Sequence, residues 1–168
     1  MEKIRNIRNC WKIIHNSRYI AAFGNGIYVL DRVSLELVYH ITGLRWVHGG
    51  LFVDDDTLMV YTGEQKLFFF RISHRRLLWA TPRPKEIAPT GDMRCCKIHG
   101  TDEILCVAQG RKSLEEHFLL MVDHNGEKLS AWRLPDCYRV VTQLVWTMEQ
   151  GATFLSYQAK GDNRTILY

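Results

Sequence analysis

Apolar residues in this chain alternate with polar ones in short runs, and turn-forming residues separate the runs. Almost no stretch has helical period, so the pattern predicts strands. Residues 26–41, Gly-Ile-Tyr-Val-Leu-Asp-Arg-Val-Ser-Leu-Glu-Leu-Val-Tyr-His-Ile, read as strand, tight turn, strand. Residues 67–79 and 119–132 repeat that hairpin. Asp31, Arg71 and Asp123 fall at one equivalent position of the repeat, and Leu37, Leu77 and Leu129 at another.

Taken in order, the chain predicts strands at 10–15, 19–23, 26–31 and 36–41, with a turn at Asn16 and Ser17. Gly24, Asn25 and Gly26 form the next turn, in which Asn-Gly favours the positive φ of a two-residue hairpin. A second group of four covers 49–53, 57–61, 67–72 and 76–81, with the turn Asp54-Asp55-Asp56 inside it. Pro82, Pro84 and Pro89 make residues 82–90 a linker or long loop, because proline cannot donate to a strand ladder. A third group covers 93–99, 103–108, 117–122 and 128–134, with a hairpin turn at Asn125-Gly126 and a polar loop over 110–116. A fourth begins at 139–148 and continues at 153–158 and 164–168, without an outer strand.

Gly24, Gly63, Gly110 and Gly161 each close a second strand. Four strands in a period of about 40–50 residues are the signature of a propeller blade. A lone four-stranded unit cannot cover both faces of its sheet, whereas stacked repeats can. The expected fold is therefore all-β: a β-propeller of four-stranded antiparallel blades. It forms a single domain over 1–168, with blades near 10–41, 44–81, 93–134 and 139–168. Three blades are complete and one is not. An antiparallel β-sandwich is the alternative. Residues 2–7 could supply the missing strand and close a four-bladed ring. The reading favoured slightly is part of a six- to eight-bladed propeller, since Tyr168 ends mid-blade. An unpaired blade edge would then invite self-association.

The hairpin resembles the blades of the quinoprotein-like (PQQ-type) and WD-repeat propellers. The quinoprotein-like pattern runs Asp, two residues, Thr-Gly, three residues, Trp. Asp31 has Ser34 at the Thr position and Tyr39 at the Trp position. Arg71 replaces the Asp of the second copy, but Trp79 stands at its Trp position. Asp123 has Gly126 and Trp132, each displaced by one, and no blade ends in Trp-Asp. The resemblance implies architecture and carries no quinone site, since no cofactor-contacting residue can be matched. In physical terms the Asp accepts bonds from turn amides, and the aromatic fills the gap between blades. That places Trp79 and Trp132 in the inter-blade packing.

Composition changes this picture little. The 168 residues are 46% hydrophobic and 24% charged, ordinary for a globular protein. The net charge is 22 − 18 = +4, mildly basic; the balance alone argues little, but a nucleic-acid binder usually shows a stronger, clustered excess, so no nucleic-acid partner is expected. No run is apolar for the roughly 18 residues a membrane helix needs. No apolar segment follows the basic start, so the expected reading is a cytoplasmic protein or an internal piece of a larger one, and no membrane partner is expected. Cys10, Cys95, Cys96, Cys106 and Cys137 match no metal spacing. They read as reduced thiols, with Cys95 and Cys96 on opposite faces of a strand.

No catalytic, cofactor or metal constellation emerges. Asp54, Asp55 and Asp56 read as a solvated turn, and residues 123–127 lack the Gly and Glu positions of a calcium loop. Seven histidines show no two-ligand spacing, and no serine has a nucleophile-elbow context. The candidate partner-binding surface is the basic cluster Arg71, His74, Arg75 and Arg76, followed by Arg83 and Lys85 and preceded by Phe68, Phe69 and Phe70. The expected function is a non-catalytic scaffold that binds a protein or peptide through propeller loops. The alternative is a small-molecule-binding or hydrolytic propeller enzyme that uses the central channel.

Overall fold

The structure is a computed structural model that describes residues 7, 9–81, 85–91, 93–98, 100–113, 116–123, 127–134, 146–149, 152–158 and 165–167. The turn expected at Asn125 and Gly126, the strand expected over 139–145, residues 2–6 of the closing strand, Gly161, Arg83, His99, His124 and Cys137 lie outside these residues.

The described regular structure is entirely β, so no helix there is long and apolar enough to cross a membrane. The first sheet holds β1 (Lys12–His15), β2 (Tyr19–Phe23), β3 (Ile27–Asp31) and β4 (Leu37–Ile41). The second holds β5 (Val47–Phe52), β6 (Thr57–Thr62), β7 (Leu67–Arg71) and β8 (Arg76–Ala80). The third holds β9 (Met93–Lys97), β10 (Ile104–Gln109), β11 (His117–Val122) and β12 (Lys128–Arg133). The last holds β13 (Trp146–Glu149), β14 (Ala152–Gln158) and β15 (Thr165–Leu167). Each sheet is a meander of strands consecutive in sequence, paired antiparallel. A sandwich would instead thread its chain between two sheets.

The chain divides into two compact units: Met1–Thr62 with Leu67–Ala80, and Gly63–Lys66 with Thr81–Tyr168. In the first unit, Tyr19, Ala21, Phe23, Ile27, Val29 and Ile41 of the first sheet pack with Leu58, Val60, Phe70 and Ile72 of the second. Each large apolar side chain so buried contributes about 1.5–3 kcal/mol. Tyr39 meets Phe70 edge to face at 6.3 Å, so the outer-strand aromatic of one blade does pack on the next. All six residues of β6 are buried, and the four between Thr57 and Thr62 form an unbroken run without charge.

In the second unit, Ile98, Leu105 and Val107 form one core face with Cys96, Leu119 and Met121. Cys95 stands opposite Cys106, so the neighbouring cysteines do take opposite faces. Gln65 belongs to this unit and is 1% exposed. Its Nε2 donates to the Ala88 and Gln109 carbonyls at 2.9 and 3.3 Å, and its Oε1 accepts from the Gln109 amide at 2.8 Å. The buried side-chain amide thus completes a ladder rung beside Gln109, beyond the last β9–β10 pair.

The three complete sheets share one irregularity. Leu30 faces Leu37 and Val29 faces Tyr39; Phe70 faces Leu77 and Phe69 faces Trp79; Val122 faces Lys128 and Met121 faces Ser130. Val38, Leu78 and Leu129 are therefore bulged out of the ladder. The third hairpin is one residue shorter than the others. Lys128, not Leu129, is consequently the equivalent of Leu37 and Leu77. Ser130, not Trp132, occupies the place of Tyr39 and Trp79. Trp132 faces Leu119, as Ile41 faces Ile27, and is 47% exposed, which corrects its expected burial. Trp79 is half-buried and stacks on Phe69 at 5.1 Å.

The turn at residues 24–26 also differs from expectation. It is a three-residue loop between the pair Phe23 and Ile27, and neither Asn25 nor Gly26 has positive φ. Gly26 is needed for close approach instead: a Cβ there would lie 2.7 Å from Nε2 of His40.

Candidate interaction site

Within the first unit the hairpin turns gather at two ends. At one end lie the β1–β2, β3–β4, β5–β6 and β7–β8 turns. Asn16 accepts from the amides of Arg18 and Tyr19 at 2.9 and 2.8 Å. Its Nδ2 donates to the carbonyls of Asp54 and Asp55, both at 3.3 Å, which ties the β1–β2 and β5–β6 turns together.

Arg71, His74, Arg75 and Arg76, the cluster singled out in the sequence, sit on the β7–β8 hairpin at this end. Arg71 is half-buried and the other three are exposed. Arg71 pairs with Asp56 at 3.9 Å, and Arg76 faces Arg71 across the ladder. Nδ1 of His74 lies 3.0 Å from the Ser73 hydroxyl. Arg75 has φ +50° at the position equivalent to Leu35, φ +59°, which is the Gly position of the repeat pattern.

Acidic residues interleave with these bases. Asp31 accepts from the amides of Ser34 and Val33 at 2.8 and 2.9 Å, and these bonds hold its carboxyl below the ordinary range. Asp54 is partly buried, which works to raise its pKa. The amides of Asp56 and Thr57, donating at 2.7 and 2.6 Å, lower it by more. Asp55 accepts from the Ser17 hydroxyl at 2.7 Å. Asp56 accepts from the Ser73 amide at 2.9 Å and also from the Ser73 hydroxyl. The three consecutive carboxylates thus serve three separate local tasks. Asp56 does for the β7–β8 turn what Asp31 does for β3–β4, because position 71 holds Arg. The end as a whole is a mixture of charges rather than a continuous basic patch.

The opposite end of this unit carries a feature the sequence reading missed. A cavity of about 240 Å³ opens between residues 24–26, the segment Thr42, Gly43 and Leu44, and two tryptophans, Trp11 and Trp46. Trp11 is 51% exposed and rests on Phe23 with ring centroids 5.7 Å apart. Trp46 is 62% exposed and has φ +48°. An L-residue in this region carries a backbone cost of about 1–2 kcal/mol, and such outliers gather at ligand clamps. Gly43, at φ +81°, makes the bend that brings β4 round to Trp46. None of the eleven described residues that line the cavity is ionisable. The sequence signal was two tryptophans outside the repeated hairpin, 35 residues apart, each beside a strand start.

No protein-family model and no curated protein sequence matches this chain. Solved structures do. The WD40 domain of Toxoplasma gondii coronin aligns with a TM-score of 0.73 at 12% identity, over 95% of this chain and 42% of that one. The computationally designed protein Ika4 aligns at 0.71 and 12% identity, over 99% of this chain and 94% of that one. BamB from Moraxella catarrhalis aligns at 0.58 and 12% identity, over 88% and 39%. The chain spans less than half the length of the two natural proteins. Likeness at this identity concerns fold alone, and the fold is a β-propeller type built from four-stranded antiparallel blades.

Proposed function

We propose that this protein is a non-catalytic interaction scaffold that engages a protein or peptide partner through the loops around Trp11 and Trp46. The observation that carries this reading is the pair of exposed indoles on one cavity, with Trp46 in a left-handed backbone conformation. Tryptophan is the residue most enriched at binding hot spots, where a large rigid face is desolvated at little entropic cost. Exposing two of them is costly for solubility and makes sense when a partner covers them. The blade architecture shared with a WD40 domain supports the same reading. The rival, an enzyme working in a central channel, requires titratable groups converging on a pocket. The cavity at Trp11 and Trp46 offers none among its described residues.

Selection of phage-displayed random peptides on the purified protein tests the proposal. A consensus should emerge that Trp46→Ala no longer captures and that Arg75→Ala/Arg76→Ala still captures. A consensus dependent on Arg75 and Arg76 instead would move the interface to the charged end. Absence of any enriched peptide, together with turnover in a hydrolase substrate panel, would favour the rival.

A further inference from the structure

We infer that the Trp11–Trp46 cavity takes an uncharged, proline-containing peptide segment in the extended polyproline II conformation. This inference rests on the scaffold reading and names the ligand of that site. The first argument is charge: no described lining residue is ionisable, so a charged group entering the cavity would lose water without gaining a counter-ion from them. The second is size. About 240 Å³ falls below the roughly 300–1,000 Å³ of pockets that enclose a whole small molecule, and suits one or two residues of a peptide.

The third argument is the sign of the hydrogen bonding. The side-chain polar groups are biased toward donors. Each indole offers an N–H and no acceptor. Asn25 spends its Oδ1 on Nδ2 of Asn9 at 3.2 Å, which leaves its Nδ2 to donate. Proline residues supply the complement, because they carry a carbonyl and no N–H. In polyproline II those carbonyls make no internal bonds, and pyrrolidine rings lie well on aromatic faces. A neutral sugar presents a donor on every hydroxyl, and against these the described lining side chains set the Thr42 hydroxyl and the second lone pair of Asn25 Oδ1. Finally, both sides are pre-ordered. Trp46 and Gly43 are fixed in left-handed conformations, Gly26 has no room for a Cβ, and the ligand helix is stiff, so little entropy is lost on docking.

The test is calorimetric and fluorescence titration of the whole chain with a blocked, uncharged decaproline. A blocked Gly-Ser decamer and cellohexaose serve as parallel probes. Decaproline should bind saturably and at least about tenfold more tightly than either control. Trp46→Ala should weaken it by about tenfold or more, and Arg75→Ala should leave it unchanged. Trp46→Phe, which keeps a ring and loses the N–H, should fall between and covers the case of a poorly folded alanine variant. Decaproline no better than the Gly-Ser peptide, indifference to Trp46, or preference for cellohexaose each overturns the inference. A Trp46-dependent phage consensus that is charged or lacks proline would overturn it while leaving the scaffold reading intact.

Discussion

Removing the Asp56 carboxylate should loosen the β7–β8 turn, and an acid placed at position 71 should restore it. Asp56 accepts from the Ser73 amide at 2.9 Å and from the Ser73 hydroxyl, with its side chain 17% exposed. A hydrogen bond to a charged acceptor contributes about 1.5–3 kcal/mol, less where the donor can turn to water, as exposed Ser73 can. The Arg71–Asp56 pair at 3.9 Å, with Arg71 36% exposed, adds only about 0–1 kcal/mol. Asp56→Ala should therefore cost about 2–3 kcal/mol, a large share of a typical stability of about 5–15 kcal/mol. Asp55→Ala, on an exposed neighbour, should cost only about 0.5 kcal/mol. In the repeat, position 71 corresponds to Asp31, whose carboxylate takes the amides two and three residues on. Adding Arg71→Asp to Asp56→Ala should thus regain about 1 kcal/mol or more. Alone, Arg71→Asp should destabilise, since it sets a second carboxylate beside Asp56. Urea unfolding of the four proteins forms a double-mutant cycle whose coupling term measures the exchange. If Asp56→Ala unfolds within about 0.5 kcal/mol of the parent, or the double variant is no more stable than it, the functional equivalence of Asp56 and Asp31 is wrong.

At position 46, Gly should be about 0.5–1 kcal/mol more stable than Ala, since both variants lose the indole and only Ala pays for φ +48°; equal urea midpoints would mean the backbone there is unstrained. Burial, reinforced by neighbouring Cys106, pushes the Cys96 thiol up to about 12, so at pH 8 it stays protonated. Peptide mapping after brief treatment with a thiol reagent should find exposed Cys10 labelled and Cys96 not, and equal labelling would contradict the packing. Asp31 and Asp54 titrate below the ordinary 3.8 when folded, so the native state holds fewer protons than the unfolded one. Their contribution is present above about pH 4 and is lost as pH falls below it. Asp31→Asn/Asp54→Asn should flatten the fall in urea midpoint between about pH 5 and 2.5, and an unchanged slope would show that other groups control it.

Local information was enough for the strands and the sheet order. The short apolar runs of β2 and β11, the glycines after β2, β6 and β10, and the carboxylate of Asp31 act within a few residues, so they can be read along the chain. The short third hairpin could not be read so directly. Asp123 and Trp132 both look like repeat positions, and only the ladder reveals that one residue is missing between them, which moves Ser130 into the aromatic place and leaves Trp132 exposed. Asp56 escaped for a related reason. It replaces an acid missing from position 71, but it comes from another turn, 15 positions earlier. Gln65 lies between the charged neighbours Glu64 and Lys66, and its burial depends on backbone groups 23 and 44 residues away. The cavity is the clearest case. Trp11, the loop at 24–26 and Trp46 have no common spacing in sequence. They meet because a four-stranded meander returns its β2–β3 turn and its exit to the end where β1 begins. Hydrophobic periodicity therefore determined which segments pair, while the shared end of the sheet, a property of the folded meander alone, decided which residues form a site.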